Sequence, residues 1–442
     1  MKYAWRSLTA ASLIALSATA ASAEEIRYSW GGNGTLSGFW VDQDEVPGNE
    51  LNDYGFAGEA KVWGKASILS DSGWDYGVRG QLRFQSSEHE FSNDHIRGAP
   101  DFVDEVYLYV DMLFGGVVLG LEDGAADQAG IYSPTVTDIN RIDDPRAYVL
   151  QDPLSNSYTA FTPNGAHMRT DLNASGDAFK IIYKSPRLIG VQLSASYTPE
   201  LTRGLNDLFD DDEDFDEQSN IWEVGVNYQG SLSSFDIGFY AGYVAGYNER
   251  ETVGHTVDVV AAALNGGAPT TFTSQPFTPD DLEEYGTGLQ IAYEGFKVGG
   301  SYRVTNIAGG AGLADQAIGS LSVGCSTISG CVLPDAQTTI WGAGVTYETG
   351  PWKFGAGYID LEEELPVFFD ATPPGVLNDQ NRFLTQDGQG WTGAVTYEFD
   401  ENLQISAGYQ HYNFDGPAGV CTGAACDTLD ADLAFVQTSM SF

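Results

Sequence analysis

The chain has 442 residues, 20 of them basic and 62 acidic, for a formal net charge of −42. That balance excludes a phosphate backbone as the main partner, and so nucleic-acid binding, because neutralising phosphates takes a surplus of lysine and arginine. Disorder is excluded as well: 23 Tyr, 23 Phe, 9 Trp and 53 Gly do not fit the aromatic-poor composition of unfolded acidic chains.

Residues 1–23 read as a Sec signal peptide. Lys2 and Arg6 form a basic n-region, Leu8 to Thr19 an apolar h-region, and Ala21, Ser22 and Ala23 a small-residue cleavage site before Glu24. A membrane anchor, the alternative, needs ~20 apolar residues, and this run is shorter and diluted by Ser and Thr. The mature chain, residues 24–442, is expected to be one domain with 18 basic and 62 acidic residues. No later run approaches ~18 consecutive apolar residues, so no transmembrane helix is expected. This leaves a soluble secreted protein or an outer-membrane barrel.

The next segments alternate with period two. Phe56, Gly58, Ala60, Val62, Gly64, Ala66 and Ile68 share one face, with Glu59, Lys61, Trp63, Lys65 and Ser67 on the other. From Trp74 to Gln85 one parity is apolar (Trp74, Tyr76, Val78, Leu82, Phe84) and the other carries Asp75, Arg79, Gln81, Arg83 and Gln85. In chain order the pattern predicts strands over Gly34–Val41, Gly55–Leu69, Trp74–Ser87, Phe102–Met112, Gly115–Glu122, Ala178–Lys184, Gly190–Thr198 and Asn220–Tyr228. It continues over Leu232–Tyr247, Tyr285–Glu294, Phe296–Ile307, Thr338–Glu348, Trp352–Leu361, Gln389–Phe399, Leu403–Phe414 and Leu429–Phe442. A soluble sandwich alternates too, but it mixes loop lengths at both ends. Here the connections alternate strictly between short turns and long loops, the pattern of an outer-membrane barrel. Tyr228 and Phe235, Tyr293 and Phe296, Tyr347 and Trp352, and Tyr397 and Phe399 flank short turns, as an interfacial girdle does.

The longest stretch without a strand pattern is residues 123–177, the third long loop. It carries Asp138, Asp143 and Asp144 beside Arg141 and Arg146, with several prolines. A structureless run of that length inside a compact domain is either functional or a mis-assigned element.

The run Phe179-Lys180-Ile181-Ile182-Tyr183-Lys184-Ser185-Pro186-Arg187-Leu188-Ile189-Gly190-Val191 resembles the Tyr-x-Ser-Pro-x-(apolar)-x-Gly strand-turn-strand of the general diffusion porins of Gram-negative outer membranes, and Phe114 to Gly120 resembles their strand five. The resemblance implies an all-β fold: a sixteen-stranded antiparallel transmembrane barrel, usually a homotrimer in outer-membrane lipid, whose third loop folds into the lumen. It further implies a constriction with acidic groups on that loop, here Asp138, Asp143 and Asp144 with Arg141 and Arg146 among them, against a basic wall, here Lys61, Lys65, Arg79 and Arg83. Where such porins often carry Arg on strand five, this chain has Leu121. The alternative for the wall is that its bases pair with Glu59, Asp75 and Glu105 beside them. A transverse field across a narrow aqueous opening favours small polar solutes and tunes ion preference.

The expected function is therefore passive diffusion of ions and small hydrophilic solutes through a water-filled channel, with a weak cation preference from the carboxylate excess and with no cofactor. A substrate-specific porin needs a continuous aromatic track; Trp63, Tyr107 and Tyr109 make an inward patch instead. A non-conducting structural or adhesive barrel with a plugged lumen is the alternative from another class. No enzyme is expected: there is no Gly-x-Ser-x-Gly elbow and no His-Glu-x-x-His helix, and the glycine pattern Gly388-x-Gly390-x-x-Gly393 enters a strand with no helix after it. Asp210, Asp211, Asp212 and Asp214 in the fourth long loop are a candidate Ca²⁺ site lacking EF-hand spacing, against a solvated acidic run. In an exported chain, Cys325, Cys331, Cys421 and Cys426 are expected as disulfides, with the local pairings Cys325–Cys331 and Cys421–Cys426 favoured among three connectivities.

Overall fold

The computed structural model describes residues 26–44, 53–85, 103–138, 141, 168–201, 218–248, 256–259, 270–273, 281–306, 337–365, 384–415 and 428–442. The signal-peptide residues 1–23, the acidic run at 210–214 and the four cysteines lie outside them. Among the described residues there are eighteen strands, numbered in chain order: β1 (Arg27–Gln43), β2 (Tyr54–Leu69), β3 (Asp75–Gln85), β4 (Val103–Met112), β5 (Gly115–Leu121), β6 (Phe179–Lys184), β7 (Val191–Glu200), β8 (Gln218–Leu232), β9 (Phe235–Asn248), β10 (Thr256–Val259), β11 (Thr270–Thr273), β12 (Leu282–Tyr293), β13 (Phe296–Thr305), β14 (Thr338–Thr349), β15 (Trp352–Leu365), β16 (Leu384–Asp400), β17 (Leu403–Asp415) and β18 (Thr428–Ser441). Strands β1–β9 and β12–β18 form one closed antiparallel barrel of 16 strands, each paired with its sequence neighbour and β1 with β18. The seam is finished by the last residue, whose N–H donates to Gly32 O at 2.9 Å while Phe442 O accepts from Gly32 N at 3.0 Å. Closure removes the exposed edges that a bilayer cannot solvate.

Each predicted strand is found, with shifted ends. The turn expected at Gln229–Ser231 lies further on, because β8 runs to Leu232 and Ser233 takes the left-handed conformation at φ 57°. Two short turns need positive φ at both central residues, which matches the twist of the strands they join. These are Ile189-Gly190 (φ 52° and 84°) and Glu294-Gly295 (φ 46° and 85°). The small β10–β11 hairpin, in the connection after β9, was not legible in the sequence.

The outer face is a lipid surface. Leu36, Leu82, Leu108, Leu119, Leu193, Val224, Leu289, Val345 and Val436 are exposed there. Paired rings border it at the short-turn end: Phe235 stacks on Tyr293 at 4.8 Å and Phe296 on Tyr347 at 4.3 Å, and Trp352 meets Tyr397 edge-on at 4.8 Å. A second row, Tyr197–Trp222 at 4.6 Å and Trp341–Tyr358–Trp391 at 5.1 and 4.3 Å, borders it toward the long loops. Such paired girdles sit at the two faces of a bilayer. No described helix is long and apolar enough to cross a membrane.

Candidate functional site

The third long connection, residues 122–178, starts at the end of β5, and its described limbs, 122–138 and 168–178, lie against the inner wall. A single short helix, α1 (Ala125–Gln128), opens it, an element absent from the sequence expectation. Both ends of the loop are fastened to the wall. Lys180 on β6 donates through Nζ to the carbonyls of Glu122 on the outgoing limb and Gly176 on the returning one. Glu223 on β8 accepts from the Ala126 N–H at 3.0 Å and from the Ser175 hydroxyl. Both side chains belong to fully buried residues, and buried charges persist only where they are paired and hydrogen-bonded.

From this root the outgoing limb follows the wall strand by strand. Asn227 Nδ2 on β8 donates to Ala129 O at 2.8 Å, and Gln290 Nε2 on β12 to Tyr132 O at 2.5 Å. Thr396 Oγ1 on β16 donates to Val136 O at 2.6 Å, and Gln404 Nε2 on β17 to Asp138 Oδ2 at 2.9 Å. The returning limb runs beside it: the Thr170 and Ser301 hydroxyls are 2.6 Å apart, and Leu172 is buried with Ala126, Ile221, Val244 and Leu282. The wall under the limbs is stripped of side chains. A Cβ on Gly225 would lie 2.6 Å from Ala129 Cβ, on Gly242 2.7 Å from Leu172 Cδ1, on Gly344 2.6 Å from Pro134 O and on Gly355 2.9 Å from Val136 Cγ2. These glycines let the described limbs of the loop lie flat on the barrel wall.

The wall that no described part of these limbs clads is β2–β5, where the predicted bases stand. Register places Lys61 opposite Arg83 and Lys65 opposite Arg79. Lys61 Nζ is 3.1 Å from Asp104 Oδ2, Arg83 is 2.9 Å from Glu59 and 3.6 Å from Asp104, and Arg79 is 3.6 Å from Glu105. Asp104 has the parity of a lipid-facing residue. The β3–β4 register shifts between Gln81 and Leu82, leaving Asp104 as an extra residue on β4, and this bulge turns its carboxylate into the lumen. Bulges re-aim a side chain in this way. Arg79 also donates to Tyr107 OH at 3.2 Å and Gln81 Oε1 at 3.0 Å, and lies over the Trp63 ring at 5.5 Å. Lys65 stands over the Tyr109 ring at 4.3 Å. Of the carboxylates expected to pair with these bases, Glu59 and Glu105 do so; Asp75 instead pairs with Arg27 at 2.9 Å.

Where the loop meets this wall, two acids are strongly perturbed. Burial pushes the Glu122 carboxyl up to about 8, with Glu105 and Asp123 raising it further and Lys184 and Arg79 opposing. Burial also holds the Asp127 carboxyl well above its usual range, again with Asp123 adding; Tyr132 OH donates to it at 2.5 Å.

Lys61, Lys65, Arg79 and Arg83 are thus gathered into one ladder. Asp138 lies against Gln404 on β17, three strands from β2 round the barrel. Arg141 is half-buried, whereas Asp143, Asp144 and Arg146 fall outside the described residues. Leu121 is fully buried. Three functional positions escaped the sequence reading: Asp104, hidden by its parity, and the Lys180 and Glu223 anchors. A signal for the anchors existed, since Glu223 shares the inward parity of β8 with Gly225.

A family model described as Gram-negative porin matches residues 8–417. No curated protein matches. Among solved structures, a loop-deletion form of OmpT, an outer membrane protein of Vibrio cholerae, is 12% identical at a TM-score of 0.52, covering 94% of this chain and 99% of its own. The anion-selective porin from Comamonas acidovorans is 11% identical at a TM-score of 0.51, covering 95% of this chain and 100% of its own. These likenesses concern the fold, and the family match extends over nearly the whole sequence. The chain belongs to the Gram-negative porins and is an outer-membrane β-barrel channel for passive diffusion.

Proposed function

We propose that the protein is a general porin with a weak cation preference, its opening lying between the third loop and the β2–β5 wall. The observation that carries this reading is the pairing of three of the four ladder bases with carboxylates of their own wall. Glu59, Asp104 and Glu105 engage Lys61, Arg79 and Arg83, so the bases do not present an uncompensated positive ring to passing ions. What remains is the carboxylate excess of the chain, and rings of carboxylate favour cations. The solutes are ions and small hydrophilic molecules moving down their gradients without turnover.

Export through a cleaved segment at residues 1–23 and assembly as a homotrimer complete the proposal. The outward parity of β1–β3 supports the trimer: it carries Gly34, Gly58, Ala60, Gly64 and Gly80, a smooth strip on which a neighbouring barrel can lie closely. Migration of the unheated protein as a single folded monomer contradicts that part.

Zero-current potentials in a salt gradient test the selectivity. The wild type is expected to pass cations modestly better than anions. Asp104→Asn, which removes the carboxylate paired with Lys61 and leaves Arg83 with Glu59 alone, is expected to move the potential toward anions. An anion-preferring wild type overturns the assignment.

A further inference from the structure

At the short-turn end of the uncovered wall lies a cavity of 670 Å³ whose lining includes Trp63, Lys65, Arg79, Tyr109, Asp111 and Lys184. Its charge runs against the rest of the chain. The sequence has 62 acidic residues to 20 basic ones, yet three lysine or arginine side chains and one aspartate line this cavity. Chance placement would give the reverse ratio.

The bases differ in how far they are already engaged. Lys184 has Asp111 and Glu122 as nearby counter-charges. Arg79 uses one edge on Glu105, Gln81 and Tyr107, while its Nε–H is buried without a hydrogen-bond partner. Among the described residues, the Lys65 ammonium has neither a hydrogen bond nor a carboxylate partner; it rests on the Tyr109 ring. Lys65 and Arg79 are direct cross-strand partners, and Ser29, also lining the cavity, is the partner of Lys65 on its other side. Side chains directly opposite on neighbouring strands have Cβ atoms about 5 Å apart, so an ammonium and a guanidinium can converge on one group. The aromatic rings shield that position from water on the wall side, which strengthens a charge-assisted hydrogen bond.

We propose that this cavity is a binding subsite for a small oxyanion, the carboxylate or phosphate group of a solute in transit, held by the Lys65 ammonium and the unengaged Arg79 donors. Organic anions would then have a resting place in a channel whose bulk preference is for cations. The subsite rests on the reading of the chain as an open channel, but its occupancy can be measured without conduction.

Titration calorimetry of the folded protein in detergent uses inorganic phosphate in one arm and acetate in the other. At least one is expected to give saturable heat. Lys65→Gln is expected to weaken that binding about tenfold, the scale of one lost charge-assisted hydrogen bond. Lys353→Gln, which removes a base paired with Glu398 away from the cavity, is expected to leave it unchanged. Absence of saturable heat in both arms, or equal binding by the wild type and Lys65→Gln, overturns the proposal. In planar bilayers the binding anion is expected to reduce single-channel current at millimolar concentration in the wild type but not in Lys65→Gln. Current steps without any such reduction overturn the subsite and leave the channel standing, whereas saturable heat without current steps overturns the channel and leaves the subsite standing.

Discussion

Strands β8–β16 and strands β2–β4 face the same lumen with opposite chemistry. The first group has given up side chains: Gly225, Gly242, Gly344 and Gly355 let the third loop lie on bare backbone, and polar groups such as Asn227, Gln290 and Thr396 hold its carbonyls. The second group keeps long charged side chains and no described part of the loop covers it. The loop therefore needs no filled lumen to be stable, because one half of the wall is shaped as its binding surface. The other half is left to meet the solute.

The difference can be broken from the clad side first. Glu223→Ala removes the acceptor for Ala126 N–H and Ser175 Oγ and one of the carboxylates around buried Lys180. Each buried donor left unsatisfied costs about 1–3 kcal/mol, so the loss of both bonds is expected to release the loop. Limited proteolysis is the readout: cleavage within residues 122–178 should be much faster than in the wild type, and an unchanged rate contradicts the anchoring role.

A smaller effect is expected from overpacking. Gly242→Leu forces a side chain into Leu172 and should cost about 1–3 kcal/mol by denaturant titration. On the lipid face, a Cβ on Gly393 of β16 meets nothing within 4 Å, and Gly393→Leu should be close to neutral. Equal destabilisation by the two variants would remove the distinction between a clad and an open face.

The smallest effect concerns pH at the junction of the two halves. Glu122 has a folded pKa raised to about 8, above the value of about 4.3 for a free glutamate. Its contribution to stability is therefore fully present below the free value and is lost as pH rises through about 8. Over the same window the group gains negative charge at the edge of the opening, so cation preference should increase with pH. Glu122→Gln should flatten both trends, as read by denaturation midpoint and zero-current potential between pH 5 and 9; persistence of both slopes in the variant contradicts the assignment.

The barrel was legible because its physics is periodic. Alternation fixed the faces of β2 and β3, and the rhythm of short and long connections fixed topology and the place of the third loop. The inward bases followed from parity alone. Asp104 was not legible, since a bulge of one residue reverses parity and no local residue type announces it. The carboxylates that pair with three of the bases were legible only in part, as Glu59 and Glu105. Of the loop acids expected across from Lys61, Lys65, Arg79 and Arg83, Asp138 lies against Gln404 of β17, while acids on β2 and β4 pair with Lys61, Arg79 and Arg83. Such pairs depend on cross-strand register, which a single sequence carries only weakly. The Lys180 and Glu223 anchors look, in sequence, like ordinary lumen charges.

The central claim is that water and solute pass between the loop and the β2–β4 wall, not beneath the loop. Cysteine accessibility in a conducting channel tests it most directly, with the untreated and treated wild type as baseline. A charged thiol-reactive reagent is expected to change the single-channel current of Arg79→Cys within seconds and to leave that of Val244→Cys, buried under Leu172, unaffected. Rapid modification of Val244→Cys with Arg79→Cys untouched, or the absence of any stepwise openings, contradicts the account.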